Sequence, residues 1–128
     1  MYKRQAYDVA SLLQDARVTV PAELEMKLLG VYAAARKAAD PWFDMQDFAA
    51  AYAIFGAQRA TKIMGIFARL NRRDGKPGYL RHLPRIKAYL TRNLAHPSLS
   101  RLTGWYDKQM PPEPRDDGLG EYMAEDEI

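Results

Sequence analysis

Residues 52–78, YAIFGAQRATKIMGIFARLNRRDGKPG, decide how the chain folds. The apolar residues Tyr52, Phe55, Ile63, Ile66, Phe67 and Leu70 recur at helical spacings and fall on one broad face at about 100° per residue. Arg59, Lys62, Arg69 and Arg73 form a basic stripe beside that face, and Asp74-Gly75 followed by Pro77 supplies the stop expected after a long helix. The spacing predicts a core helix ending near Arg73.

On the N-terminal side, this helix is expected to start at about Met45, after an Asp44 cap, with a bend or break near Gly56. Trp42-Phe43 just ahead of the cap fits a hydrophobic staple. Residues 22–39 predict a second helix with an apolar stripe at Leu24, Leu28, Val31, Tyr32 and Ala35, and Gly30 suits close packing. Pro21 after a β-branched Val18-Thr19-Val20 marks a connector. Residues 6–17, AYDVASLLQDAR, carry Val9, Leu12, Leu13 and Ala16 on one helical face.

On the C-terminal side, residues 79–83 predict a helical turn, and Pro84 opens a helix through Ile86, Leu90 and Leu94 that ends at His96-Pro97. Residues 98–110 predict a last helix with Leu99, Leu102, Trp105 and Tyr106 on one side. No strand-like alternation, internal repeat or useful heptad is present, so the fold class is all-α: about five helices. Residues 111–128, rich in Pro, Gly and acids, are expected to form a disordered acidic tail.

The chain has 128 residues and a net charge of +3. Residues 111–128 carry seven acidic residues and one basic, leaving the body at +9. A basic body raises the reading of a small helical module that binds nucleic acid or an acidic partner. The simpler reading, arginines and lysines solvating outer helix faces, is favoured because no nucleic-acid motif accompanies the charge. No run reaches the roughly 18 apolar residues that span a bilayer, and no signal peptide is legible, so a cytoplasmic location without membrane association is expected. The absence of cysteine excludes disulfides, thiolate metal sites and a cysteine nucleophile.

Catalytic chemistry is sparse. His82 and His96 have no metal-ligand spacing, so both read as structural, and Asp40, Asp44 and Asp47 read as helix caps. There is no GxxxxGK, GxGxxG or GxSxG. No catalytic, cofactor-binding or metal residue is assigned within the chain.

The order AYDVASLLQDARVTVP, WFD, then YAIFGAQRATKIMGIFARLNRRDGKPGYLRHLPRIKAYLTRNLAHP resembles the C-terminal end of bacterial sugar kinases in the aminoglycoside phosphotransferase and choline kinase family. Within it, the chain is most similar to the cell-wall-recycling kinases that phosphorylate N-acetylmuramate and N-acetylglucosamine. The resemblance covers residues 6–111, and GAQRATKIMGIFARL with RRDGKPGYL is specific for that subgroup.

The resemblance implies a protein-kinase-like parent that uses ATP and Mg²⁺, with the Gly-rich loop, lysine, catalytic-loop Asp and metal-binding Asp all upstream of Ala6. This chain would be the helical subdomain that follows, inactive alone and partnered by the missing N-terminal part of the same protein. The first five residues, MYKRQ, match an in-frame translation of a transposon-end sequencing adapter and are expected to be non-native. Asp8 resembles the aspartate that accepts hydrogen bonds from catalytic-loop amides, with a helix N-cap as the alternative. Gln58, Arg59 and Lys62, on the polar side of the central helix, are candidates for contacting a sugar substrate, with a solvated face as the alternative. The Val9, Leu12 and Leu13 side of the first helix is expected to lie exposed where the missing part would cover it.

Overall fold

A computed structural model describes residues 3–109. Their elements are α1 (Lys3–Leu13), α2 (Ala22–Ala39), α3 (Met45–Arg72), a 3₁₀ turn (Pro77–His82), α4 (Leu83–Leu94), a second 3₁₀ turn (Pro97–Leu99) and α5 (Ser100–Gln109). No strand occurs among the described residues, so the all-α expectation holds. The expected tail at residues 111–128 lies outside the described residues.

The central helix α3 runs 28 residues without interruption. The expected break at Gly56 is not there, because every turn on both sides is anchored by packing. Asp44 caps α3 as expected, its carboxylate accepting from the Gln46 and Asp47 amides. Phe43, one residue before the cap, packs on Phe48 at a ring separation of 5.6 Å, which is the staple geometry, while Trp42 stays exposed. Gly75, at φ +62°, ends the helix region in the left-handed conformation that glycine adopts freely.

The buried face of α3 is Phe48, Tyr52, Ala53, Gly56, Ala57, Ala60 and Phe67. Its middle is made of small residues rather than the large apolar ones that the pattern singled out. That lets α4 approach closely, and α3 packs most extensively against α4 and next against α1. One core cluster joins Ala57, Ala60 and Phe67 to Ile86, Tyr89, Leu90, Leu99 and Tyr106. A smaller one joins Ala6, Ala10, Phe43, Phe48 and Tyr52, with Tyr32 and Leu29 against it.

The outer helices depart from the sequence reading. α1 starts at Lys3 and stops at Leu13, because Asp15 folds its carboxylate onto the Arg17 and Val18 amides instead of letting the helix continue to Arg17. Its inner face is Ala6, Ala10 and Leu13, while Leu12 is 72% exposed and Val9 is half-buried in the smaller cluster. Only Leu12 of the three expected residues is therefore an uncovered apolar side chain.

α2 has the expected bounds, and Tyr32 of its expected stripe does pack inward, but the buried face is rotated by roughly a quarter-turn: Glu25, Leu29, Tyr32 and Ala33 turn to the bundle while Leu24, Leu28 and Val31 are exposed. Nothing lies within 4 Å of a Cβ at Gly30, so this glycine does not serve close packing. The expected last helix is divided into the Pro97–Leu99 turn and α5; of its stripe Leu99 and Tyr106 are buried, and Leu102 and Trp105 are exposed.

Candidate functional site

The most constrained polar chemistry in the fold lies where α1 ends, α2 begins and α3 meets α4. Gln14, Glu25 and Asn93 are each buried, at 2%, 4% and 3% exposure. Gln14 and Asn93 form a reciprocal carboxamide pair: Gln14 Nε2 donates to Asn93 Oδ1 at 2.9 Å, and Asn93 Nδ2 donates to Gln14 Oε1 at 2.8 Å. Gln14 Nε2 also donates to Glu25 Oε2 at 3.1 Å, and the Tyr52 hydroxyl donates to the same oxygen at 2.6 Å.

The other carboxylate oxygen, Glu25 Oε1, accepts from Arg92 Nη1 at 3.1 Å. Arg92 additionally reaches the Val20 carbonyl and lies over the Tyr89 ring at 5.0 Å. Tyr89 in turn donates to Val18 O and accepts from the Val20 amide, so the α1–α2 connector is stitched to α4 at both backbone groups. Arg59 of α3 donates to Gln14 O at 2.7 Å.

Each buried polar group here has a partner, as a low-dielectric interior requires. Burial, then the Glu25 carboxylate, pushes the Tyr52 phenol far above its ordinary pKa, so it serves as a hydrogen-bond donor and not as a base. The arrangement is a joint rather than a reaction centre: it fixes the end of α1 and the start of α2 against the α3–α4 pair. Beside it a cavity of about 550 Å³ is lined by Met26, Leu29, Phe48, Tyr52, Arg92 and His96 among others.

The expected sugar-contacting trio is not brought together. Gln58 and Lys62 are exposed and line a shallow groove with Ile54, Leu102 and Tyr106, whereas Arg59 is turned away to the Gln14 carbonyl. Asp8 is exposed on the middle of α1, whose start at Lys3 removes the helix-cap alternative. His96 caps the second 3₁₀ turn, its Nδ1 accepting from the Ser98 amide. Arg59, Arg85 and Arg92, part of the excess positive charge, act internally on the carbonyls of Gln14, Ala16 and Val20.

Sequence reading missed Gln14, Glu25 and Asn93. The usable signal was register: Asn93 continues the buried series Ile86, Tyr89, Leu90, and Gln14 follows Ala10 and Leu13, so each is a polar residue in an apolar row. Among the described residues no three His, Asp or Glu side chains converge as metal ligands. No helix is long and apolar enough to cross a membrane among the described residues.

No family model matches the chain. Curated relatives do. The chain is 44% identical over 110 residues to the N-acetylmuramate/N-acetylglucosamine kinase of Caulobacter vibrioides, covering 86% of this chain and 29% of that protein. It is 37% identical to the kinase of the same name from Pseudomonas putida, over 80% of this chain and 31% of the relative. For the Neisseria meningitidis kinase of that name the figures are 39%, 72% and 28%. The chain thus resembles amino-sugar kinases while spanning only about 30% of the length of the relatives it matches.

Proposed function

We propose that the chain is the helical C-terminal part of an ATP-dependent amino-sugar phosphotransferase of cytoplasmic cell-wall recycling, in the aminoglycoside phosphotransferase family, and that it supports the catalytic loop and the acceptor pocket. The observation that carries this reading is the 44% identity over 86% of the chain to a kinase of N-acetylmuramate and N-acetylglucosamine. In phosphoryl transfer the protein contributes positioning and charge stabilisation, so a rigid helical buttress has a direct role in the rate.

The joint at Gln14, Glu25 and Asn93 suits that role, because it immobilises α1, the helix bearing Asp8. In this reading the Asp8 carboxylate, free at the surface of α1, accepts amide hydrogen bonds from the catalytic loop, and Gln58 and Lys62 face the acceptor side. Arg59 contributes by holding Gln14 rather than by touching sugar. ATP and Mg²⁺ would be taken by the rest of the phosphotransferase, where Mg²⁺ would neutralise charge on the phosphoryl group that ATP donates, and no step is assigned to them on this chain's residues.

The test replaces the matching segment of the Caulobacter relative with this chain and follows ADP release with each amino sugar. The chimera should turn over, and the 128-residue chain alone, given ATP, Mg²⁺ and sugar, should not. Turnover by the isolated chain, or a folded chimera inert toward both sugars, would overturn the proposal.

A further inference from the structure

A second cleft, of about 540 Å³, opens between the α1–α2 connector, α3 and the Pro77–His82 turn. Its floor is Ile63, Ile66 and Phe67 of α3, with Tyr79 and His82 set against Phe67 at ring separations of 5.4 and 6.2 Å. Its polar lining is Arg17 from the connector, and Arg81 and His82 from the turn.

The charge around this cleft is one-sided. Arg85 is engaged through Nε and Nη1, donating to Thr19 Oγ1 at 2.7 Å, to Ala16 O at 3.0 Å and to His82 Nδ1 at 2.7 Å. A guanidinium only donates, so His82 Nδ1 is the acceptor and the ring is the neutral Nε2–H tautomer. Burial first, and then Arg85, Arg81 and Arg17, hold the His82 pKa below its ordinary value; Asp15 is the one carboxylate opposing them. Asp15 itself is committed to the Arg17 and Val18 amides. The Arg17 and Arg81 side chains are exposed, and neither has an ion pair or a side-chain hydrogen bond.

We infer that this cleft binds a small organic anion, an acid group carried on an apolar ring, with the acid held by Arg17 and Arg81 and the ring laid on Ile63, Ile66 and Phe67. Two guanidiniums that lack an ion pair or side-chain hydrogen bond, Arg17 being opposed only by the nearby Asp15 carboxylate, stand beside a neutral imidazole as a concentration of positive charge that an anion relieves, and paired guanidiniums match the oxygens of a carboxylate or phosphate. The apolar floor, partly open at Ile63 and Ile66, accounts for the ring, since a cleft of this size takes small molecules by apolar contact with a few polar groups fixing orientation. This inference stands independently of the kinase reading.

Four probes separate the contributions in the 128-residue chain: benzoate and phenyl phosphate carry both features, inorganic phosphate only the charge, and benzyl alcohol only the ring. Calorimetry should give binding of benzoate or phenyl phosphate at least about tenfold tighter than either single-feature probe, a difference of about 1.4 kcal/mol. Binding should also raise the His82 titration midpoint followed by NMR, because a bound anion offsets Arg17, Arg81 and Arg85 while Asp15 is unchanged and α3 presents only apolar groups. R17Q and R81Q should each weaken benzoate binding several-fold without moving the melting temperature, since neither side chain has an internal partner. Equal affinity for inorganic phosphate, an unmoved His82 midpoint, or wild-type binding by both variants would each overturn the site.

Discussion

Gly56 of α3 lies directly against the carboxamide of Asn93 of α4: a Cβ placed on Gly56 would stand 2.5 Å from Nδ2 and 2.6 Å from Oδ1. Asn93 cannot retreat without releasing its reciprocal pair with Gln14. Gly56→Ala should therefore destabilise the chain by about 2–3 kcal/mol, overriding the roughly 0.5–1 kcal/mol that alanine ordinarily contributes inside a helix. Gly30→Ala, where nothing lies within 4 Å, should show that helix gain instead. Urea denaturation of the two variants should shift the midpoint in opposite directions.

Glu25 is the carboxylate on which three donors converge, from Gln14, Tyr52 and Arg92. Glu25→Ala leaves the Tyr52 hydroxyl and one N–H of Gln14 without an acceptor and Arg92 without its ion-pair partner, and should cost about 3 kcal/mol. The figure is at the low end for a buried pair because the Arg92 side chain keeps 28% exposure. A double-mutant cycle with Tyr52→Phe should show strong coupling; additive losses would mean that the shared oxygen matters little.

The three candidate substrate residues should separate in stability. Arg59→Ala removes a 2.7 Å bond to the Gln14 carbonyl and should cost about 1–2 kcal/mol. Gln58→Ala, Lys62→Ala and Asp8→Ala, all at exposed positions, should stay within about 0.5 kcal/mol in this chain. In the chimera, where Asp8 would accept the catalytic-loop amides, Asp8→Ala should lower kcat and melting temperature together. Thermal scans and ADP release on the same variants decide both points.

The His82 pKa is lowered in the fold, chiefly by burial and then by Arg85. The unfolded chain therefore binds more protons than the native one at mildly acidic pH, just below the ordinary histidine value of about 6.5. The sign follows: this contribution is fully present above the unfolded pKa and is lost as pH falls through the lowered native one. Stability should decline on acidification from neutral pH, and His82→Asn, whose Oδ1 can still accept from Arg85, should flatten that decline. A slope unchanged in the variant would assign the effect elsewhere.

The sequence by itself determined the all-α class, the bounds of α2, the end of α3, the Asp44 cap with its Phe43 staple, and the resemblance to amino-sugar kinases. These are local properties: helical period, capping chemistry and Pro/Gly punctuation act within a few residues of one another. Only the tertiary structure decided which face of α2 turns inward. Its apolar stripe at Leu24, Leu28 and Val31 gave a clear period, but Glu25 goes inside because Gln14, Tyr52 and Arg92, from three other elements, arrive to satisfy it. The same holds for Arg59, whose partner lies 45 residues away, and for Gly56, whose small size is explained only by Asn93. A buried polar residue is stable or not according to partners brought in from distant sequence, and helical periodicity carries no record of them.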